Sequence, residues 1–311
     1  MGRYPLTSRQ RESSPAVAGR VAGWTESIHR GESLRKLAVG VLITLLVAAI
    51  ADFASAAYAE YRYSTALREA SDLEFDPEIT ISGFPFVDQA TGDTYDQIGI
   101  TARGADLGDG RRGDLRSKLS DVRRADGEWV IGQNTELTAD KATASLKIDS
   151  VNLGRFLGIV DLTVTTPAPE DKAGGGGPGD GILSTSNGVI MTGTVNVSDP
   201  RNSRHSSAQR REKVSVAVDL SVRGGALHID ARNLYSGPAE HVKSDVPSGA
   251  EPMVLAQFTK TLPVLPLPWS MPAVKAASQG SDVVLEAEPA PLVATARDFW
   301  QGPSRGGRTL R

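Results

Sequence analysis

The 311-residue chain has no cysteine, only four histidines and few aromatic residues, which make up 5% of it. Without cysteine there is no disulfide, no thiolate zinc site, no iron–sulfur cluster and no cysteine nucleophile. Neither sign of charge dominates, because 34 Lys and Arg stand against 37 Asp and Glu, and this balance argues against a nucleic-acid-binding domain. The composition is that of a globular protein with a mainly aliphatic core.

Catalytic and nucleotide-binding motifs are also missing. The sequence has no G-x-S-x-G, no H-E-x-x-H and no Walker lysine. Two matches to G-x-G-x-x-G begin at Gly108 and Gly174, but no series of alternating strands and helices surrounds either of them. The histidines fall in polar sequence. We therefore expect no metal site and no cofactor.

An uncharged apolar run follows a basic leader. Residues 1–36 are polar, hold seven Lys and Arg, and are predicted to be disordered. Residues 37–51 carry no charge, and the apolar run reaches residue 59 if Asp52 is tolerated near its end. About 20 residues span a bilayer, so residues 37–59 are predicted to be a transmembrane anchor or a signal segment. Small-x-small patterns before residue 60 favour cleavage, whereas the long leader favours a retained anchor.

Flanking charges predict the orientation of this segment. Basic residues are concentrated before it, and acidic residues outnumber basic ones after it. By the positive-inside rule the leader is cytoplasmic and residues 60–298 form an exported domain on the periplasmic or cell-envelope side. The basic tail, residues 299–311, is predicted to be disordered. If the segment is cleaved, the domain is secreted.

The exported domain is predicted to be α+β. Residues 56–73 contain neither Gly nor Pro and favour a long helix. Most of the chain after it alternates between apolar and polar residues, most clearly at Val214–Arg223, which indicates an antiparallel sheet with one buried face. Asp149–Leu157 is predicted to be a short helix. The Gly-rich and Pro-rich stretch 167–181 is predicted to be a flexible loop.

The sequence does not decide between a helix and a strand at residues 115–125. Leu115, Leu119 and Val122 stand at helical spacing, yet residues 115–125 could equally form a strand beside their neighbours.

A proline-rich segment follows a predicted helix at 251–261. Residues 262–272 contain four prolines, which exclude a helix and a central strand. Leu265, Leu267 and Trp269 on this segment are candidate lipid contacts. They fit a lip that touches the membrane, because Trp favours the interface, or a strap packed across the sheet. Both alternatives stay open.

Four further residues are candidate lipid contacts. Phe84 and Phe86 follow Gly83 and fit a turn that closes one end of the sheet, although they could simply be core aromatics. Arg123 and Arg124 form one of several arginine pairs. Their guanidinium groups suit anionic headgroups, or they lie on an exposed face without a ligand.

The order of several motifs resembles the LmeA-like cell-envelope proteins of actinobacteria. These motifs are a helix after a membrane segment, ITISGFPF at 79–86, GDTYDQI at 92–98 and LPLP at 265–268. The resemblance covers residues 58–294. It implies a non-enzymatic exported domain that binds anionic phospholipid and supports lipomannan-type glycolipid or envelope maintenance. The implied fold is a long helix wrapped by a curved, mainly antiparallel sheet. The Gly-rich loop at 173–181 is an addition to the family pattern.

Two other functions fit the sequence. The first is a hydrolase of envelope polysaccharide or lipid that uses two carboxylates, since such a pair can meet from anywhere in the chain. The second is a membrane-anchored scaffold for other envelope proteins.

Overall fold

A computed structural model of the chain describes residues 25–125, 127, 130–165, 188–197, 210–235, 246–247 and 249–302. The helices are α1 (Thr25–Ala70), α2 (Phe86–Thr91), α3 (Ser150–Leu157) and α4 (Glu251–Phe258). The strands are β1 (Glu78–Ser82), β2 (Thr94–Gly108), β3 (Arg111–Arg124), β4 (Leu137–Ile148), β5 (Thr163–Thr165), β6 (Gly188–Asn196), β7 (Arg211–Arg223), β8 (Ala226–Leu234), β9 (Lys260–Thr261), β10 (Ala273–Gln279), β11 (Asp282–Ala287) and β12 (Ala290–Ala294). The predicted α+β class with a long N-terminal helix is confirmed.

Three predicted segments fall outside the described residues in whole or in part. They are residues 1–24 of the basic leader, the loop at 167–181 and residues 303–311 of the tail. The second G-x-G-x-x-G match, which begins at Gly174, lies there too.

The chain divides into two units, residues 1–51 and residues 52–311. In the first unit, the large apolar side chains of α1 are exposed: Leu34, Leu37, Val39, Val41, Leu42, Ile43, Leu45, Leu46, Val47 and Ile50. In the part of the chain that the structure describes, Leu34–Ala70 is the one helical stretch long and apolar enough to cross a bilayer. Such a helix can serve as a membrane anchor or as a signal sequence.

Two open antiparallel sheets make up most of the second unit. Among the described residues, one sheet has seven strands in the order β1-β2-β3-β4-β11-β10, with β12 also paired with β4. The other has five strands in the order β5-β6-β7-β8-β9. The expected antiparallel strands are thus divided between two sheets.

The core is built from the apolar faces of these strands. In β7 the alternating residues Val214, Val216, Val218 and Leu220 are buried, as their spacing predicts. From Asp52 onward, α1 adds Tyr63 and Leu67 to the same core. Phe299 and Trp300 also belong to it, so the core extends past the domain boundary expected at residue 298.

A bend crosses three neighbouring strands of the larger sheet. Along each strand two buried residues stand three positions apart, where strict alternation would place them two apart. These residues lie opposite one another across the sheet: Tyr95 and Ile98 in β2, Val122 and Leu119 in β3, and Ala139 and Ala142 in β4. At the bend Asp121 has a φ of 52°. The helical spacing at 115–122 therefore arises from a bent strand, and of the two structures left open the strand is the one that forms.

Local sequence explains two of the connections. Asp149 caps α3, because its Oδ1 accepts a 2.7 Å hydrogen bond from the backbone N–H of Asn152, and Gly158 ends this helix with a φ of 76°. The predicted helix at 149–157 is thus confirmed. The G-x-G-x-x-G match at Gly108 forms the turn between β2 and β3, which is a hairpin and opens no helix.

Candidate membrane-facing site

A tight turn joins β1 to α2 at one end of the larger sheet. Gly83 starts the turn with a φ of 122°, and a Cβ at this position would clash with the Gln89 side chain and lie 2.7 Å from Oδ2 of Asp96. Only glycine fits here. The peptide bond between Phe84 and Pro85 is cis.

The start of α2 is held by Asp52 on α1. Pro85, at the N-cap position, supplies no side-chain cap. Instead, Oδ2 of Asp52 accepts a 2.9 Å hydrogen bond from the N–H of Phe86, and Oδ1 accepts one of 2.9 Å from the N–H of Val87. The first N–H groups of a helix have no partner within the helix and favour negative charge, so Asp52 satisfies both needs. Asp52 is only 7% exposed.

The other end of α2 is held by Arg124 on β3. Its Nη2 donates a 3.2 Å hydrogen bond to the carbonyl oxygen of Ala90 and pairs with the carboxylate of Asp93, while its Nη1 donates a 3.1 Å bond to the Tyr95 hydroxyl. Burial by itself lowers the pKa of Arg124, but its hydrogen bonds to Tyr95 and Asp93 outweigh this effect and hold the pKa above its ordinary value. The guanidinium therefore stays charged inside the protein.

Two aromatic rings are exposed beside the clamped turn. Phe84 is 66% exposed and stacks on Phe53 of α1, itself 67% exposed, with the ring centroids 6.0 Å apart. Val87, in the first turn of α2, is also exposed. Phe86 points the opposite way and is buried against Tyr95, with centroids 6.4 Å apart. We call Phe53, Phe84 and Val87 the aromatic end.

A comparison with protein families identifies the family of this chain. The family model of LmeA-like phospholipid-binding proteins matches residues 50–288. The chain belongs to this family. None of the curated proteins and none of the solved structures is significantly similar to it. The matched range begins just before Asp52, so the LmeA-like region includes the aromatic end and both clamps of α2.

The proline-rich segment of the LmeA-like region lies against the core. Leu265 and Leu267 are buried, and Trp269 is only 7% exposed. The indole N–H of Trp269 donates a 2.7 Å hydrogen bond to Oγ of Ser117 in β3, and its ring meets Phe299 edge-on with centroids 5.0 Å apart. Residues 265–269 therefore have the geometry of a strap packed across the sheet and not that of a lip exposed to the membrane.

The arginine pair of the LmeA-like region is divided between two environments. Arg124 is buried, with 1% of its side chain exposed. Arg123 is exposed, and its Nη2 lies 2.7 Å from Oδ1 of Asp140. Phe84, Phe86 and Arg124 thus belong to one assembly around α2, whereas Leu265, Leu267 and Trp269 form a second group in the core.

Two important residues of this site were absent from the sequence-based candidates. The sequence pattern marks Asp52 only as a charge near the end of the apolar run, and it gives no indication of a role for Phe53. The position of Asp52 could have indicated its role. An isolated carboxylate at the end of an apolar helix normally needs a partner elsewhere in the chain.

Proposed function

We propose that this protein is a non-enzymatic phospholipid-binding protein, tethered to the membrane by residues 37–59, whose exported domain inserts its aromatic end into the bilayer surface. The observation that carries the proposal is the pair of exposed, stacked rings of Phe53 and Phe84. Phe53 comes two residues after the uncharged run that ends at Ala51. Large aromatic rings beside a membrane segment favour the interface between lipid and water.

Membership of the LmeA-like family supports phospholipid as the ligand. In this proposal the ligand is anionic, because the exposed Arg123 and other surface arginines suit lipid phosphates. Phe84 touches the lipid directly, while Phe86 and Arg124 hold the turn in place. Leu265, Leu267 and Trp269 stabilise the apolar interior behind it. The domain faces the periplasm or cell envelope and serves the maintenance of lipomannan-type glycolipids, as the resemblance implies.

In this proposal, burial of apolar side chains in the bilayer contributes more to membrane binding than contacts between arginines and lipid phosphates. Full burial of one phenylalanine side chain is worth about 1.5–3 kcal/mol, whereas one basic residue near an anionic surface contributes about 1 kcal/mol. Two rings and Val87 therefore outweigh a few arginine contacts. We expect insertion of the aromatic end to survive high salt.

The absence of cysteine allows a clean test. Phe84→Cys, carrying a nitroxide label, is placed in the full chain in phospholipid vesicles, and the label is exposed in turn to a lipid-soluble and a water-soluble relaxation agent. Phe75→Cys is the matched control, because Phe75 is also an exposed phenylalanine. It follows the end of α1, and Ala70 is about 25 Å along the helix from Phe53.

We expect the label at residue 84 to respond to the lipid-soluble agent and the label at residue 75 to the water-soluble one. The difference should persist at about 1 M salt, where the Debye length is only about 3 Å. Equal exposure of both labels to water would contradict the proposed membrane contact.

A further inference from the structure

The outer face of the seven-stranded sheet contains a cleft of about 250 Å³. It lies on the face of β1 to β4 that points away from the core, between two rows of paired residues. Six of the residues that line it are Thr80, Gly99, Lys118 and Thr143 in one row and Arg116 and Ser145 in the next.

The two cations of the cleft, Arg116 and Lys118, lie without a partner among the residues that the structure describes. Arg116 and Lys118 alternate along β3 with buried residues, so both side chains project from the outer face. Within the described part of the chain, neither side chain forms a hydrogen bond or an ion pair. Glu78 also lines the cleft, but its carboxylate is paired with Arg103 at 3.0 Å. The cleft therefore carries an excess of positive charge.

Gly99 lies on β2 between the two cations on β3 and Thr80 on β1. Because it has no side chain, it leaves the floor of the cleft open. It lies inside β2, where glycine is less favourable than residues with a side chain. A Cβ at Gly99 would be 3.8 Å from the carbonyl oxygen of Thr80 and 3.9 Å from its Cβ, which are ordinary contact distances. Neither packing nor backbone strain requires glycine here. In a strand interior, such a glycine is a place where a ligand can approach the backbone.

We propose that this cleft binds a phosphate group. The forked guanidinium of Arg116 can donate two parallel hydrogen bonds to phosphate oxygens, and Lys118 adds a point charge. The hydroxyls of Thr80 and Ser145 supply neutral donors at the rim. This site goes beyond the proposed function, because it lies on the sheet face and uses no residue of the aromatic end. A phospholipid headgroup and a soluble phosphate ester carry the same chemistry, and the experiment separates them.

The test uses the full chain in nanodiscs of zwitterionic lipid. Inorganic phosphate, glycerol 3-phosphate and a short-chain phosphatidic acid are titrated separately, and binding is followed by the NMR chemical shifts of the Thr143 and Ser145 amides. Arg116→Ala should weaken binding at least about tenfold, as expected for loss of a charged hydrogen bond. Lys141→Ala is the control. It also removes one positive charge from the outer face of the sheet, but Lys141 is paired with Ser120 in the row beyond Lys118 and Thr143 and does not line the cleft.

Gly99→Val provides a second variant that keeps every charge. It fills the floor of the cleft and should abolish binding, while the melting temperature stays the same or rises, because valine favours strands. Tighter binding of phosphatidic acid than of the soluble anions would assign the site to lipid headgroups, and equal binding would assign it to soluble phosphate. Failure of all three probes to bind would overturn the proposal. So would unaltered binding in Gly99→Val, or an equal loss in Arg116→Ala and Lys141→Ala. None of these results depends on insertion of the aromatic end.

Discussion

The carboxylate of Asp52 accepts a 2.9 Å hydrogen bond from the backbone N–H of Phe86, which lies 34 positions later in the chain. Asp52 is the one charged residue between Leu37 and Ala59. Its negative charge is met by two N–H groups at the start of α2, which satisfy the buried carboxylate. The residue that interrupts the apolar run thus joins α1 to the start of α2.

Asp52→Ala should destabilise the second unit by about 2 kcal/mol, because it leaves two N–H groups of α2 without an acceptor. Asp52→Asn keeps one acceptor oxygen and should lose about half as much. The measurement is the free energy of unfolding of the full chain in a mild detergent. Asp88→Ala, which removes an exposed acid from the first turn of α2, is the control and should cost less than about 1 kcal/mol. An equal loss in Asp52→Ala and Asp88→Ala would contradict the clamp.

The adjacent arginines should respond very differently to the same substitution. Arg124→Met leaves the Ala90 carbonyl, the Tyr95 hydroxyl and the partly exposed Asp93 without their donor and should cost about 1–3 kcal/mol. Arg123→Met removes an exposed ion pair and should cost less than about 1 kcal/mol. Urea denaturation of both variants measures the difference. Similar midpoints for the two variants would show that Arg124 does not hold α2.

Trp269→Ala distinguishes the strap from the lip. Since Trp269 is buried, truncation should cost about 3–5 kcal/mol, whereas Trp269→Phe keeps a ring and should lose only its hydrogen bond to Ser117, about 1 kcal/mol. Val264→Ala, at an exposed position of the same segment, is the control. Thermal unfolding and lipid binding per folded molecule are measured together. Weakened binding in Trp269→Ala without a fall in stability would restore the lip.

The topology of the chain can be tested with a reporter enzyme that is active only outside the cytoplasm. Fused after Arg311, this enzyme should be active, because the basic leader favours the cytoplasmic side. The control is the same fusion in a chain whose leader arginines are replaced by glutamate, which should lower reporter activity. Activity of a cytoplasm-dependent reporter at the same position would contradict an exported domain.

Local patterns were enough to predict most of the secondary structure. The alternation at Val214–Arg223 predicted a strand with one buried face, and the valines of β7 form that face. These predictions succeed because side-chain direction in a strand follows from spacing alone. The same rule failed to decide at Leu119 and Val122, since a bend shared by β2, β3 and β4 depends on neighbouring strands that no local pattern reveals.

The site shows the same division. The order of apolar, polar and charged residues by itself determined that an apolar helix precedes a domain with one-faced strands, and the motif order around Gly83 indicated its family. Only the tertiary structure decided that Phe84 is exposed while Phe86 is buried, and that Arg123 faces water while Arg124 holds α2. Neighbouring residues of the same type are equivalent in hydropathy and charge. Which one lies inside is decided by long-range partners such as Asp52 and Asp93, whose contacts form only when distant segments pack together.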